Sequence, residues 1–302
     1  MIKKFILFFL FVCVSLLGFS QSNIRINNYW ENPYFINPAA IDDDYAAVIS
    51  MAARKQWFGI PGSPSTYFVA GTKYIDQMQT QFGLKVFSDQ IGYTLITNAS
   101  LSYAYSVVLD PDWRLHLGLA ASFQSLSYDL TKIVWSPNSE TTDISHLLKQ
   151  NNYNFDVGAQ LTNKTLTVGL SAQNLLSIFF TENSLQTNAN FLYAKYRKKT
   201  NQAIDMQYGA SAIQYGSALQ MEFSITSYFK YYNQPDIFQA GLFYRTRGDM
   251  GVLLGMNLGR NLHLWYSYDF NVGGLRTSFI GTHELMLVWK LNKVPGCLTC
   301  DP

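Results

Sequence analysis

The sequence has little charge for its length. Only 14% of its 302 residues are charged, against about 25% in an ordinary soluble domain. Too few ionisable groups are therefore available to cover a surface that faces water on all sides. The net charge of +2 is also small, which argues against nucleic acid or another large polyanion as a partner.

Histidine is scarce as well, with four residues in the whole chain. The best pair for acid–base chemistry is His283 beside Glu284, but neighbouring residues on a strand point to opposite faces. Without a nucleophile and a base within hydrogen-bond reach, the sequence does not predict an enzyme. We expect no catalytic residue, no metal site and no cofactor.

Long hydrophobic runs are missing after Gln21. No later stretch approaches the ~20 apolar residues that a transmembrane helix needs. The start of the chain, MIKKFILFFLFVCVSLLGFSQ, instead has the layout of a secretory signal peptide. We expect residues 1–20 to be removed by cleavage after Ser20. An exported chain without a helical span can still cross a bilayer as a closed β-barrel, in which every backbone group is paired.

Alternation with a period of two residues is what the sequence has in abundance. In LSYAYSVVL, Leu101–Leu109, the odd positions carry Leu, Tyr and Val, and most even positions carry Ser or Ala. The same pattern predicts fourteen strands between Tyr45 and Leu291. Several ionisable side chains lie on the face opposite the Leu and Tyr face: Glu222, Arg245, Asp269, Glu284 and Lys290.

The polar face of these strands predicts a barrel interior, and the oily face predicts a surface in contact with acyl chains. A soluble β-sandwich would bury its oily face and would need far more charge on the other. We therefore predict an all-β fold, a 14-stranded antiparallel transmembrane β-barrel of the outer membrane.

The lengths of the connections support this strand count. Connections after even-numbered strands are all short, whereas the two longest, Asp129–Asn152 and Ser177–Ala189, follow odd-numbered strands. Outer-membrane barrels have short periplasmic turns and longer external loops. We expect a periplasmic amino-terminal segment at residues 21–44, the barrel at 45–291 and a periplasmic tail at 292–302, so that both termini lie in the periplasm.

The tail contains a Cys297–Cys300 pair in the motif CLTC. Such a pair can be a redox motif, half of a zinc site or a small disulfide loop. No second cysteine pair completes a zinc site, and no βαβ pattern surrounds the motif. In the oxidising periplasm we favour a local disulfide between the two cysteines, with a docking point for a periplasmic partner as the alternative.

The two long external loops carry apolar residues that indicate a partner surface. The first contains Ile133 and Trp135, and the second contains Phe179 and Phe180. Exposed aromatic side chains are enriched at protein interfaces. These residues could equally pack over the barrel mouth, so both interpretations stay open.

Five stretches carry a family resemblance. They are NPAA at Asn37–Ala40, RKQWFGIPGSP at Arg54–Pro64, FSDQIG at Phe87–Gly92, WYSYDF at Trp265–Phe270 and GTHELMLVWKL at Gly281–Leu291. In this order and spacing the chain resembles the PorP/SprF family of outer-membrane proteins of the Bacteroidetes type IX secretion system. The resemblance extends from about Asn32 to Leu291.

The resemblance implies a fourteen-stranded outer-membrane barrel that is not an enzyme. It also implies partners: a secreted protein with a C-terminal sorting domain, such as a gliding adhesin, and the periplasmic machinery of the secretion system. The protein would anchor that partner or assist its export. The alternative is a passive diffusion channel, which the number of strands does not exclude. Barrels of about eight strands are filled by side chains, and those of about 16–18 strands are open. Fourteen strands fall between these limits.

Overall fold

The protein is described by a computed structural model that covers residues 25–129, 149–179, 186–200, 202–230, 236–246, 248–272 and 281–293. Within these ranges, no helix has both the length and the apolar character required to cross a membrane.

The described residues form a closed antiparallel barrel of fourteen strands, which confirms the predicted fold class. Each strand pairs with its neighbours in the chain, and the last strand pairs with the first. The strands are β1 Tyr45–Lys55, β2 Ser65–Ile75, β3 Thr80–Ile91, β4 Thr94–Val108, β5 Arg114–Tyr128, β6 Lys149–Thr162, β7 Leu166–Gln173, β8 Ala189–Arg197, β9 Ile204–Tyr215, β10 Ala218–Phe229, β11 Phe238–Arg245, β12 Asp249–Leu258, β13 Leu262–Asn271 and β14 Thr282–Asn292.

Alternation along the strands separates an apolar exterior from a polar interior. On β4, Leu101 is 67% exposed and Ser106 is 1% exposed. Tyr103 and Tyr105 face outward with Leu101, whereas Ser102 and Ala104 face inward. The oily face of LSYAYSVVL is therefore the outer surface of the barrel, as predicted. The alternation ends at Val108, which is exposed although its position in the pattern is on the inner face.

The two ends of the barrel differ in their connections. We call the end with the connections after even-numbered strands the turn mouth, and the end with the connections after odd-numbered strands the loop mouth. At the turn mouth all six connections are short, and the longest of them, between β10 and β11, spans residues 230–237. The loop mouth has both long connections, at residues 129–148 and 174–188, alongside short ones such as the two-residue turn between β3 and β4.

Residues 25–41, which precede β1, lie inside the barrel. We name Arg25–Ile41 the lumenal segment: its side chains are buried, apart from those of residues 25 and 31–33, which are half-buried. It contains two short 3-10 helices, Asn27–Trp30 and Pro33–Phe35. The sequence predicted a periplasmic segment at residues 21–44. In the structure, the lumenal segment, residues 25–41 of that range, lies in the barrel interior instead. Its asparagines and aromatic hydroxyls have partners on the inner face of the strands, so their polarity does not require bulk water.

Candidate functional site

The lumenal segment extends along the interior from near the loop mouth to the turn mouth. Arg25 forms an ion pair with Glu222, the fifth residue of β10, near the loop mouth. Two residues beyond its other end, Asp43 pairs with Arg114, the first residue of β5 at the turn mouth. The segment therefore fills the interior over most of its length.

A cluster of buried charges holds the beginning of this segment. Three arginines and three carboxylates come together, so their formal charges balance. Nε of Arg245 lies 2.5 Å from Oε2 of Glu222, and Arg54 lies 3.0 Å from Asp269. The members are Arg25, Arg54, Glu222, Arg245, Asp269 and Glu284. Ion pairs with this little exposure are stable only when every charge has partners, as is the case here.

Glu284 connects the cluster to the backbone of the lumenal segment. Its carboxylate accepts hydrogen bonds from the backbone N–H of Asn27 at 2.7 Å and of Asn28 at 3.0 Å. The side-chain amide of Asn28 donates to the same carboxylate at 2.8 Å. Nη1 of Arg54 lies 3.2 Å from it on the other side. A single carboxylate thus joins β14 to β1 and to the segment.

The next two residues of the segment use Glu222 in the same way. The Tyr29 hydroxyl donates to Oε1 of Glu222 at 3.0 Å, and the indole N–H of Trp30 donates to the same atom at 2.7 Å. The two rings lie 4.6 Å apart between centroids. Their apolar surfaces fill the barrel while their polar atoms are paired, as buried Tyr and Trp require.

A second ionic contact lies closer to the turn mouth. Nζ of Lys290 is 3.2 Å from Oε1 of Glu31 and 3.6 Å from Oδ2 of Asp42. Lys195 donates to the backbone carbonyl of Trp30 at 3.4 Å. The predicted inward orientation of Lys290 is confirmed, and its partner is in the lumenal segment.

A recess opens beside the segment near the loop mouth. It encloses about 450 Å³ including its open side, and one wall is Phe35 of the lumenal segment. Lys85 and Asp156 provide opposite charges on its other walls. Oδ1 of Asn98 is buried there without a hydrogen-bond partner among the described residues. The recess therefore has room and polar atoms for water or a small polar group.

Of the residues predicted to form a partner surface, the structure describes one. Phe179 lies at the loop mouth, directly after the short helix Leu175–Ile178, and is 76% exposed. Ile133, Trp135 and Phe180 lie outside the described residues, as do Cys297 and Cys300.

The pair considered for catalysis is separated, as strand geometry predicted. His283 contacts the hydroxyl of Tyr266 at 2.7 Å, whereas Glu284 is buried in the charge cluster. Within the described ranges no group of His, Cys, Asp or Glu side chains could hold a metal ion.

Sequence reasoning placed four members of the cluster on the inner face and missed two. It identified Glu222, Arg245, Asp269 and Glu284, but not Arg25 or Arg54. With Lys290, the five predicted inward residues are three carboxylates and two cations, and this excess of one negative charge was the available signal for a further cation.

The closed barrel, its apolar belt and its polar interior define an outer-membrane β-barrel protein. A family model described as "Type IX secretion system membrane protein PorP/SprF" matches residues 18–289. The chain belongs to this family, which confirms the resemblance seen in the sequence. No curated protein is detectably similar to it in sequence.

Solved outer-membrane barrels share the architecture at low sequence identity. The toluene transporter TbuX of Ralstonia pickettii superposes with a TM-score of 0.51 and 10% identity, and the match covers 86% of this chain and 93% of that one. The outer-membrane protein Omp33 of Acinetobacter baumannii gives a TM-score of 0.49 and 9% identity, covering 82% and 98% of the two chains. At these identities the likeness to TbuX shows the fold alone.

Proposed function

We propose that this protein anchors a cognate surface protein, or assists its export, as an outer-membrane component of the type IX secretion system. The partner would be a secreted protein or adhesin with a C-terminal sorting domain. Residues 1–20 would direct export and be removed. The loop mouth would face the cell surface, and the turn mouth, with the tail at 292–302, would face the periplasmic machinery.

Two observations support this proposal together. The chain belongs to a secretion family, and its residues 25–41 fill the interior of the barrel. A passive diffusion channel needs a continuous aqueous path. Here Tyr29, Trp30 and Phe35 occupy the interior, and ion pairs of Arg25 and Glu31 with the strands hold the segment there. A filled barrel is suited to holding a partner at its mouth, so we favour anchoring over diffusion.

The loop mouth provides the proposed docking face. Phe179 and its neighbour Ile178 are exposed there, at 76% and 54%. We propose that they act with Ile133, Trp135 and Phe180 of the same two long loops. Large aromatic side chains dominate the binding energy of protein interfaces when partners bury them.

The proposal is tested by purifying the protein from native outer membranes in mild detergent and identifying what accompanies it. We expect a secreted protein with a C-terminal sorting domain in the preparation. The variant Phe179→Ser should recover less of it, by threefold or more. Met78→Ser is the matched control, since Met78 is 56% exposed at the opposite mouth. Purification of the barrel without any secreted partner would contradict anchoring.

A further inference from the structure

The barrel interior contacts the backbone of the lumenal segment at several places. The carbonyl of Phe35 accepts from Nζ of Lys85 and from Nε2 of Gln173, each at 3.2 Å. The carbonyl of Ile36 accepts from Ser171 at 2.6 Å. Further along the segment, Gln81 donates to the carbonyl of Ala40 at 3.1 Å.

These contacts differ from those that build the barrel. They come from side chains of the strands, whereas every backbone–backbone hydrogen bond described for residues 25–41 stays within the segment. The Glu284 carboxylate likewise accepts hydrogen bonds from two backbone N–H groups of the segment. Side chains of the strands thus satisfy backbone groups of the segment, and the segment does not add a strand to the sheet. Side chains that pair with the backbone of an irregular peptide are what a peptide-binding site needs.

The inner face also has positions that admit the side chains of the segment. The Tyr34 hydroxyl lies 2.7 Å from Oγ of Ser102. The amide of Asn37 donates to the carbonyl of Ala159 at 3.1 Å and to the hydroxyl of Tyr193 at 3.2 Å. These contacts select asparagine and tyrosine at defined places along the segment.

Glycine makes the close approach of the segment possible at β5. A Cβ on Gly118 would lie 2.5 Å from the backbone nitrogen of Ala39, a contact that backbone atoms do not tolerate. By contrast, a Cβ on Gly71 would meet nothing within 4 Å. The inner wall is thus shaped around the segment at Gly118, whereas Gly71, on the outer face of β2, offers a control for the change of a strand glycine to alanine.

The covalent link between the segment and the barrel is short and accessible. Only residues 42–44 separate Ile41 from β1, and Asp44 is exposed. The contacts of the segment are therefore those of a ligand that is tethered at one end.

We propose that the barrel interior is a peptide-binding site whose occupant is the chain's own residues 25–41, bound as an exchangeable ligand. The peptide that the site recognises is asparagine-rich and aromatic, with the sequence RINNYWENPYFINPAAI. This inference goes beyond the proposed function and holds whichever surface protein is the partner.

The test cleaves the covalent link between the segment and β1. A specific protease site is inserted after Asp44 in the full chain, and the folded protein is cleaved in detergent; exposed loops of this kind tolerate insertion and cleavage. We expect the cut segment to co-elute with the barrel on size exclusion. A fluorescent synthetic peptide of residues 25–41 should then replace it, and binding is followed by fluorescence anisotropy.

Two comparisons give the test its specificity. A peptide with Asn27, Tyr29 and Trp30 all changed to Ala should bind at least tenfold more weakly. The cut protein with Gly118→Ala should bind the native peptide at least tenfold more weakly, while Gly71→Ala should leave binding unchanged.

Three results would overturn the proposal. They are loss of the cut segment with no binding of the labelled peptide, retention of the cut segment with no exchange over several days, and equal binding of the native and alanine peptides. The peptide comparison uses the cut barrel with its native Gly118 and so stays decisive if the Gly118 variant does not fold.

Discussion

Asn27 and Glu284 are 257 positions apart in the chain, yet the backbone N–H of Asn27 donates a 2.7 Å hydrogen bond to the Glu284 carboxylate. Glu284 pairs in register with Arg54, across the contact of β14 with β1 that closes the barrel. The lumenal segment is therefore fixed at the seam where the first and last strands meet. The same side chain thus contributes to the closing strand pair and to the contacts of the segment.

Replacement of Glu284 by Gln tests this connection. The substitution keeps the shape but removes the charge that faces Arg54, and its NH2 group, a donor only, leaves one of the two backbone N–H groups of Asn27 and Asn28 without an acceptor. Breaking a buried ion pair from one side costs about 3–5 kcal/mol. We expect a loss of stability near the lower end of that range, measured by urea titration of the folded barrel in detergent micelles.

The control for this prediction is an ion pair of the same protein that is exposed to solvent. Asp112 and Lys164 are 3.3 Å apart at the turn mouth, with side chains 67% and 85% exposed. Exposed pairs of this kind contribute about 0–1 kcal/mol, so Asp112→Asn should unfold at nearly the same urea concentration as the parent. Equal effects of the two substitutions would contradict the structural role of Glu284.

The outer surface gives a second prediction. Leu101 lies near the middle of β4 and faces outward, whereas Leu109 follows that strand at the turn mouth. Arginine on the lipid face costs about 2–4 kcal/mol at the bilayer midplane and about 0–1 near the interfaces. We expect Leu101→Arg to lose stability in phospholipid vesicles by the larger amount and Leu109→Arg by the smaller. An equal, small effect would show that Leu101 does not face hydrocarbon.

The sequence was informative about the strands because their signal is local. Each inward position is set by its neighbours one residue away, so the orientation of Glu222, Arg245 and Asp269 follows from alternation alone. All fourteen strands were found, although β6 begins at Lys149, inside the predicted connection Asp129–Asn152. Boundaries at long connections are weakly specified because the alternation fades there.

The filling of the interior could not be predicted in this way. NNYWENPYF has no period of two, and its asparagines and glutamate are typical of a segment in water. What places it inside is pairing with residues far away in the chain, such as Trp30 with Glu222. Periodicity carries no information about such pairs, although the excess of inward carboxylates indicated that a cation was missing.

The CLTC motif gives a third prediction. Cys297 and Cys300 lie outside the described residues, and their pairing stays a sequence-based hypothesis. A disulfide between them is expected in the oxidising periplasm. Thiol labelling of the denatured protein should modify neither cysteine before reduction and both after it. Labelling of both without a reductant would contradict the disulfide.

Conductance across a planar bilayer distinguishes the filled barrel from a diffusion channel. The intact chain should show no steady pore, because ion pairs of Arg25 with Glu222 and of Glu31 with Lys290 hold the lumenal segment in the interior. After cleavage behind Asp44 and removal of the cut segment by dilution, a pore should appear, since the inner face then borders water. Adding the peptide of residues 25–41 back should close it, whereas the peptide with Asn27, Tyr29 and Trp30 changed to Ala should not. A steady open pore in the intact chain would instead favour passive diffusion, because the contacts of the segment would then be too weak to exclude ions.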